Sequence, residues 1–127
     1  MNWASTSARS SRKAGDRIKL VIQIPCLNEE DTLAATLADI PRDIEGIDQV
    51  EILIIDDGST DRTSEVAREH GADHIVRFAQ NRGLGHAFRA GFDTALRLGA
   101  DIIINTDGDN QYYGGDVPTL VGPILEG

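Results

Sequence analysis

Short runs of aliphatic and β-branched residues alternate with longer amphipathic segments from Ile18 onward. The apolar runs cover residues 19–24, 50–55, 74–78 and 101–105, and helical spacing of apolar residues follows the first three. Such alternation is typical of strand–helix units built around a parallel sheet. The sequence therefore predicts an α/β fold, with an open parallel-type sheet and helices on both faces.

Local signals predict where several of these elements begin and end. Pro25 is expected to end the first strand, because proline has no N–H for a ladder and a fixed φ. Ser59 or Thr60 is expected to cap the second helix. The third helix has small residues on the face that would pack against the sheet: Ala87, Ala90, Gly91 and Ala95. A further helix is predicted within residues 117–125.

Length and charge limit the functions open to the chain. Its 127 residues and 13.7 kDa suit one domain with one core, predicted over residues 17–127. Residues 1–16 are polar and predict a disordered tail. The net charge of -9 argues against nucleic acid as a partner, which needs a basic surface. An acidic site would need a divalent cation to accept a phosphorylated ligand.

The cysteine count and the hydropathy bear on location. Cys26 is the only cysteine, so no intramolecular disulfide can form, and a reducing cytoplasm is the simplest fit. No apolar run reaches the ~18 residues that a membrane span requires. Contact with the cytoplasmic face of a membrane would then occur at the surface or through parts absent from this sequence.

Acidic and polar side chains follow three of the four predicted strands. In an open parallel sheet, ligands bind outside the carboxyl ends of the strands. The residues delivered to that edge are Pro25, Asn28 and Glu29, then Asp56 and Asp57, then Asp107, Asp109 and Gln111. Carboxylates gathered at one edge repel one another unless a cation or a donor-rich ligand lies among them.

The segment Asp107-Gly108-Asp109 is the most informative of these groups. Alternate residues of an extended segment point to the same side, so both carboxylates could face one hard cation such as Mg²⁺ or Mn²⁺. Gln111 could add a neutral oxygen from that side. The alternative is an ordinary turn, in which aspartate and glycine are common.

Two other segments have a functional and a structural interpretation. Asp56 and Asp57 could accept hydrogen bonds from a base or from sugar hydroxyls, or could form an acidic entry to a helix. The glycines around Arg82 could pass close to phosphates, with the arginine as counter-charge, or could form a simple turn. A Walker A loop and a dinucleotide-binding fingerprint after the first strand are both absent from the sequence.

Taken in order, these segments resemble the family 2 glycosyltransferases. The motifs that carry the resemblance are residues 21–30 (VIQIPCLNEE), 54–63 (IIDDGSTDRT), 81–85 (NRGLG) and 106–111 (TDGDNQ). The similarity is greatest to dolichyl-phosphate mannosyltransferases and related polyprenyl-phosphate glycosyltransferases. It implies a GT-A fold, which is Rossmann-like, and a chain that ends shortly after the metal motif.

The resemblance also implies roles for particular residues. Donor binding is expected at Pro25, Leu27, Glu29, Asp57, Arg82 and Asp107, and metal binding at Asp107, Asp109 and Gln111. Leu27 stands where the family commonly has a tyrosine, and the choice between a GDP-linked and a UDP-linked sugar stays open. The implied reaction is a metal-dependent inverting displacement onto a polyprenyl phosphate, which is already ionised and needs no strong base.

The acceptor-binding elements and the catalytic base of the family follow the metal motif, and this chain ends at Gly127, about one helix beyond that motif. The resemblance therefore places the base and the acceptor-binding residues beyond Gly127. We expect a fragment or a truncated gene product that binds donor and metal and has little transferase activity alone.

Other interpretations of the sequence differ in the chemistry they require. One alternative is a non-catalytic nucleotide- or metal-binding module, which the missing acceptor half favours. A sugar-1-phosphate nucleotidyltransferase is disfavoured, because no basic glycine-rich loop follows the first strand. Truncation would also expose a sheet edge that the missing strands would cover, so self-association is expected.

Overall fold

The computed structural model describes residues 5–8, of which only the backbone is considered, and residues 17–106. The elements in chain order are β1 (Ser5–Ala8), β2 (Lys19–Cys26), α1 (Leu33–Ala38), β3 (Gln49–Asp56), α2 (Thr63–Glu69), β4 (His74–Arg77), α3 (Leu84–Arg97) and β5 (Ile102–Asn105). The predicted helix at 117–125 lies outside the described residues. The strands and helices predicted between residues 18 and 105 are all present.

The sheet has the strand order β1-β5-β2-β3-β4. Strands β5, β2, β3 and β4 are mutually parallel, and β1 pairs antiparallel with β5. The chain moves outward from β2 to β3 and β4, then returns across the sheet to place β5 on the other side of β2. This reversal of strand order between β2 and β5 is a topological switch point, where open α/β sheets form a crevice.

Helices cover both faces of the sheet, as the sequence predicts. On one face, α1 and α2 pack through Leu33, Leu37 and Val66 against even-numbered sheet residues such as Ile22 and Ile54. The opposite face is covered by α3, whose Ala87 and Ala95 join a second cluster with Val21, Leu53, Ile55 and Ile103. Because β2 and β3 are buried on both faces, their sequences are nearly continuous apolar runs.

Pro25 does not end β2, contrary to the sequence-based expectation. The strand continues to Cys26, and Pro25 is paired in register with Ile55 of β3. In a parallel strand, alternate residues direct their backbone groups to opposite neighbours. Cys26 O accepts from Asp57 N on the β3 side, so the backbone of Pro25 faces β5, whose register ends at Gln23. The missing N–H therefore removes no hydrogen bond of the β2–β5 ladder within the described residues.

Strand β1 lies within the segment that the sequence predicts to be a disordered tail. Ser5 pairs with Asn105, and the register continues to Ala8 opposite Ile102. Antiparallel pairing at a sheet edge needs only backbone donors and acceptors, so a polar composition does not prevent it. Among the described residues, β1 and β4 are therefore the two outer strands.

Candidate functional site

The carboxyl edge of the sheet brings together the loops that follow β2, β3 and β4. We call them the first loop (residues 27–32), the second loop (residues 57–62) and the third loop (residues 78–83). Thr106, directly after β5, joins the same edge because its N–H donates to Gln23 O at 3.0 Å. Strand direction and topology thus place four chain segments along the carboxyl edge of the sheet.

Asn28 connects the first loop to the second. Its backbone N–H donates to Ser59 Oγ at 2.9 Å, and its side-chain Oδ1 accepts from Thr60 N at 2.8 Å. Asn28 has a φ of 52°, a left-handed conformation that asparagine tolerates better than most residues. In this conformation, both the main chain and the side chain of Asn28 contact the second loop.

Two further contacts continue this connection along the chain. Glu29 N donates to Thr63 Oγ1 at 2.9 Å, while Glu30 N donates to Asp61 Oδ2 at 3.2 Å. In return, the Glu30 carboxylate accepts from Arg62 N at 2.8 Å. The first and second loops are therefore joined by side chains that satisfy the backbone donors of the opposite loop.

These contacts correct the predicted cap of α2. Ser59 and Thr60 contact Asn28, and neither caps the helix. Asp61 instead accepts from Thr63 N at 2.9 Å at the start of α2. Desolvation acts to raise the pKa of Asp61, but hydrogen bonds from the hydroxyl and backbone of Thr63 and from the backbone of Glu30 outweigh it and lower the pKa.

Asp56, the last residue of β3, is fully buried and has a structural role. Its Oδ1 accepts from Ser59 N at 2.9 Å, and its Oδ2 accepts from the hydroxyl of Ser64. Arg77 Nε lies 4.0 Å from Oδ2. Buried carboxylates require such donors, so Asp56 holds the second loop against α2 and is not available to a ligand.

Asp57 is 5% exposed and contacts the third loop. Its Oδ1 accepts from Arg82 N at 2.7 Å, and its Oδ2 accepts from Gly83 N at 2.9 Å and from Asn81 Nδ2 at 3.1 Å. The two adjacent carboxylates thus serve different segments, because successive side chains at the end of a strand point in opposite directions.

Arg82 is exposed and lies at the amino end of α3. Its guanidinium carbon is 5.3 Å from the centroid of the Phe78 ring, a cation–π geometry. No ion pair of Arg82 occurs within the part of the chain that the structure describes. Within the described residues, the positive charge of Arg82 at the carboxyl edge is therefore held by an aromatic ring and not by a carboxylate.

The other described residues predicted to bind the donor occupy the same edge. Pro25 is buried near the end of β2, and Glu29 is half-buried in the first loop. Leu27 is 42% exposed. The end of β2 and the first loop therefore supply all three.

The metal motif and the end of the chain lie outside the described residues. Asp107, Asp109, Gln111 and Gly127 all fall there. The assignment of the metal ligands thus stays a prediction, and so does the placement of the catalytic base and the acceptor-binding residues beyond Gly127. Within residues 17–106, no group of three or more His, Cys, Asp or Glu side chains could hold a metal ion.

The role of Asn28, Ser59 and Thr63 in joining the first and second loops was not predicted from the sequence. A signal was available, because Ser, Thr, Asn and Asp side chains commonly satisfy backbone groups of irregular segments. Two loops rich in these residues after neighbouring parallel strands predict such contacts. Which residues of the two loops contact each other depends on the register of β2 against β3, and the sequence does not give that register.

A model of the family described as glycosyl transferase family 2 matches residues 21–127. The chain belongs to this family. The match covers the whole of the described sheet apart from β1 and the first residues of β2. With the parallel sheet and helices on both faces, it confirms the α/β fold of GT-A type and identifies the domain as that of a glycosyltransferase.

Relatives with characterised names include polyprenyl-phosphate enzymes. Polyprenol monophosphomannose synthase of Mycolicibacterium smegmatis is 31% identical over 114 residues, which are 86% of this chain and 42% of that protein. Undecaprenyl-phosphate 4-deoxy-4-formamido-L-arabinose transferase of Aeromonas hydrophila is 36% identical over 117 residues, or 87% of this chain and 35% of that protein. The similarity to polyprenyl-phosphate glycosyltransferases that the motifs indicate is confirmed.

A solved structure shares both sequence and fold. Glucosyl-3-phosphoglycerate synthase from Mycobacterium tuberculosis, in complex with Mn²⁺, UDP and glucosyl-3-phosphoglycerate, has a TM-score of 0.69 and 32% identity. The similarity covers 90% of this chain and 41% of that one. The same enzyme has also been solved with Mg²⁺ and UDP.

The chain spans between 35% and 46% of the length of the curated relatives it matches. Among the described residues, no helix combines the length and apolar character needed to cross a membrane.

Proposed function

We propose that this chain forms the donor-binding part of an inverting, metal-dependent glycosyltransferase that transfers a sugar from a nucleotide diphosphate to a polyprenyl phosphate. The observation that carries the proposal is that the first, second and third loops and Thr106 lie together along the carboxyl edge of the sheet, which includes the switch point between β2 and β5. The names of the polyprenyl-phosphate relatives support the acceptor. The complexes of the solved relative support a UDP-type donor and a divalent cation.

In this proposal the first loop and Asp57 bind the nucleoside, and Arg82 faces the donor's diphosphate. The cation would be Mg²⁺ or Mn²⁺, held by Asp107, Asp109 and Gln111. Their oxygen atoms are the hard ligands that both ions prefer. The described residues fit this assignment, because Asp56 and Asp57 are already engaged by donors of the protein and do not compete for the ion.

When bound, the cation would offset negative charge that develops on the departing diphosphate. The residues of this chain would hold the anomeric carbon in line with the acceptor and exclude water from the crevice. An acceptor phosphate is ionised at neutral pH, so it attacks without a strong general base. Arg82 would add a fixed positive charge near the leaving group.

A thermal-shift titration tests donor and metal binding. UDP or GDP, each added at about 100 times its dissociation constant in the presence of Mn²⁺, should stabilise the chain by about 2.7 kcal/mol. The melting temperature should then rise by roughly 10 °C. Asp107→Asn and Asp109→Asn should lose most of the Mn²⁺-dependent shift, since each removes a charged ligand. Asp93→Asn, on the exposed side of α3, is the matched control.

Equal shifts in all three variants would overturn the metal assignment. Transfer to a polyprenyl phosphate, with the product's anomeric configuration determined by NMR, tests the reaction itself. Retention of configuration would contradict the single displacement. Binding without turnover in the complete protein would instead favour a non-catalytic module.

A further inference from the structure

Gln23 is a polar residue in the middle of an otherwise apolar part of β2. Its neighbours in residues 20–26 are leucine, valine, isoleucine, proline and cysteine, and Gln23 itself is 1% exposed. Its Nε2 donates to Oδ1 of Asn105, the last residue of β5. Its Oε1 has no hydrogen-bond partner within the described residues. Burying a partly satisfied amide costs stability that an aliphatic side chain would not, so core packing alone does not explain Gln23.

The apolar residues of β5 do not determine how this strand aligns with β2. Residues 102–104 are three isoleucines with identical side chains. A slip by two residues would keep each of them on its own face of the sheet, because side chains alternate with a period of two. Ile104 would then lie opposite Leu20 or Ile24 in place of Ile22, and all three are aliphatic. Hydrophobic contacts therefore favour several registers almost equally.

A contact at the amino end of these strands is less selective than the amide pair. The Asp101 carboxylate accepts from Lys19 N at 2.9 Å, and Asp101 N donates to Lys19 O at 2.8 Å. Backbone groups of this kind recur along a strand, so another register could also satisfy Asp101. Gln23 and Asn105 lie opposite each other in one register only.

The register of β5 bears on the candidate site because the metal motif follows this strand in the sequence. Thr106 N donates to Gln23 O at 3.0 Å, and Asp107 is the next residue. Consecutive Cα atoms are about 3.8 Å apart, so the position of Thr106 limits where Asp107 can lie. A slip by two residues would move Thr106 by about 6.6 Å along β2, whereas Mg²⁺–oxygen distances are only about 2.1 Å. A metal motif displaced this far could not hold an ion beside a donor bound at the first loop.

We propose that Gln23 and Asn105 are positioning residues, whose amide pair fixes the register of β5 against β2 and so brings the metal motif to the crevice. This inference rests on the proposed function and adds no ligand to it. In coiled coils, a buried polar residue can fix register at a cost in stability. Stability and metal-dependent binding should therefore respond differently when the pair is replaced by apolar residues.

The first experiment replaces both amides by leucine, which leaves neither partner unsatisfied. The urea midpoint of the double variant Gln23→Leu/Asn105→Leu should equal or exceed that of wild type. Its affinity for UDP with Mn²⁺ should nevertheless fall about tenfold, as expected when roughly a tenth of the molecules keep the native register. Backbone nuclear Overhauser contacts of Ile104, measured without nucleotide, should appear to Leu20 or Ile24 as well as to Ile22.

Ile104→Val is the matched control for stability. Ile104 is fully buried in the same strand, and its side chain belongs to the core cluster on the opposite face from Gln23. The lost methyl group should lower the urea midpoint, while the register and the Mn²⁺-dependent affinity stay unchanged.

Two further variants test whether the amides themselves are responsible. The exchanged pair Gln23→Asn/Asn105→Gln keeps two amides opposite each other and should restore most of the affinity. Asn105→Ala loses the same hydrogen bond at a half-buried position. It should show the additional contacts of Ile104, which covers the case in which the double leucine variant does not fold.

Three outcomes would overturn the proposal. The first is a leucine variant that keeps a single register or an unchanged affinity. The second is a leucine variant whose stability and affinity fall together, as for an ordinary core contact. The third is an exchanged pair that binds as weakly as the leucine variant.

This inference and the proposed function fail separately. Wild type that binds neither UDP nor GDP with Mn²⁺ would overturn the proposed function and the role of the pair toward the metal motif. The contacts of Ile104 would still decide whether the pair fixes the register. Binding by wild type, with a single register in the leucine variant, would overturn this inference alone.

Discussion

Gly91 lies where α3 crosses β2, opposite the buried side chain of Gln23. A Cβ atom at Gly91 would lie 1.7 Å from Gln23 Oε1 and 2.8 Å from Ile55 Cδ1. Gln23 is 1% exposed and its Nε2 donates to Asn105 Oδ1, so it has little freedom to move aside. Glycine is therefore required by the contact between helix and sheet.

We expect Gly91→Ala to destabilise the domain despite the better helix propensity of alanine. Propensity favours alanine by about 1 kcal/mol, whereas overpacking costs about 1–3 kcal/mol. Subtracting the propensity gain from the overpacking cost leaves a fall in the free energy of unfolding of about 0–2 kcal/mol, with a midpoint of roughly 1 kcal/mol. The midpoint of urea denaturation measures this change.

Gly85→Ala is the matched control, because it lies in the same helix with no atom within 4 Å of the added Cβ. There propensity acts alone, and stability should rise by about 0.5–1 kcal/mol. If Gly91→Ala stabilised the domain as much as Gly85→Ala, the close packing of α3 on β2 would be contradicted.

At the scale of elements, the first and second loops behave as one unit. Five described hydrogen bonds between a side chain and a backbone N–H join Asn28, Glu29 and Glu30 to the second loop and the start of α2. Each connects a side chain with a backbone N–H, so each satisfies a group that an irregular segment would otherwise leave to water. The conformation of either loop therefore depends on the other.

Two substitutions of Asn28 separate the contribution of its side chain to stability from the contribution of its left-handed backbone conformation. Asn28→Gly loses the bond to Thr60 N but tolerates the φ of 52°. Asn28→Ala loses the same bond and adds a left-handed backbone cost of roughly 1–2 kcal/mol. Glycine in turn costs about 0.4–1 kcal/mol through the entropy of the unfolded chain.

The alanine variant should therefore be the less stable by roughly 0.5–1 kcal/mol, and both should be less stable than wild type. Paired urea titrations of the three proteins check this order. Equal stability of Asn28→Ala and wild type would mean that the connection between the loops contributes nothing in solution.

Sequence reasoning was most reliable for the central strands and least reliable for the loops between elements. Strands β2 and β3 were predictable because burial on both faces demands a continuous apolar run. The end of β2 was misplaced at Pro25, since the effect of proline on a strand depends on which neighbouring strand its backbone faces and on where that neighbour ends. For Asp57, the motif indicated a polar site, but only the fold shows that Arg82 and Gly83 contact it.

At the scale of the whole molecule, the unexpected feature is the strand that completes the sheet beside β5. Hydrophobic patterning could not reveal β1, because its sequence, STSA, contains no apolar run, and the pairing of an edge strand needs only backbone groups. An open edge on β5 would present unpaired backbone groups next to the carboxyl edge that carries the candidate site. We therefore expect β1 to limit self-association.

Two adjacent proline substitutions test this role with a built-in control. Neighbouring residues of an edge strand direct their N–H groups alternately toward the paired strand and toward solvent. One of Thr6→Pro and Ser7→Pro must then remove a bond to β5, and the other should be tolerated. Gel filtration and urea titration should show greater self-association and lower stability for only one of the two. If neither variant differs from wild type, β1 does not protect the sheet in solution, and residues 1–16 behave as the tail that their composition predicts.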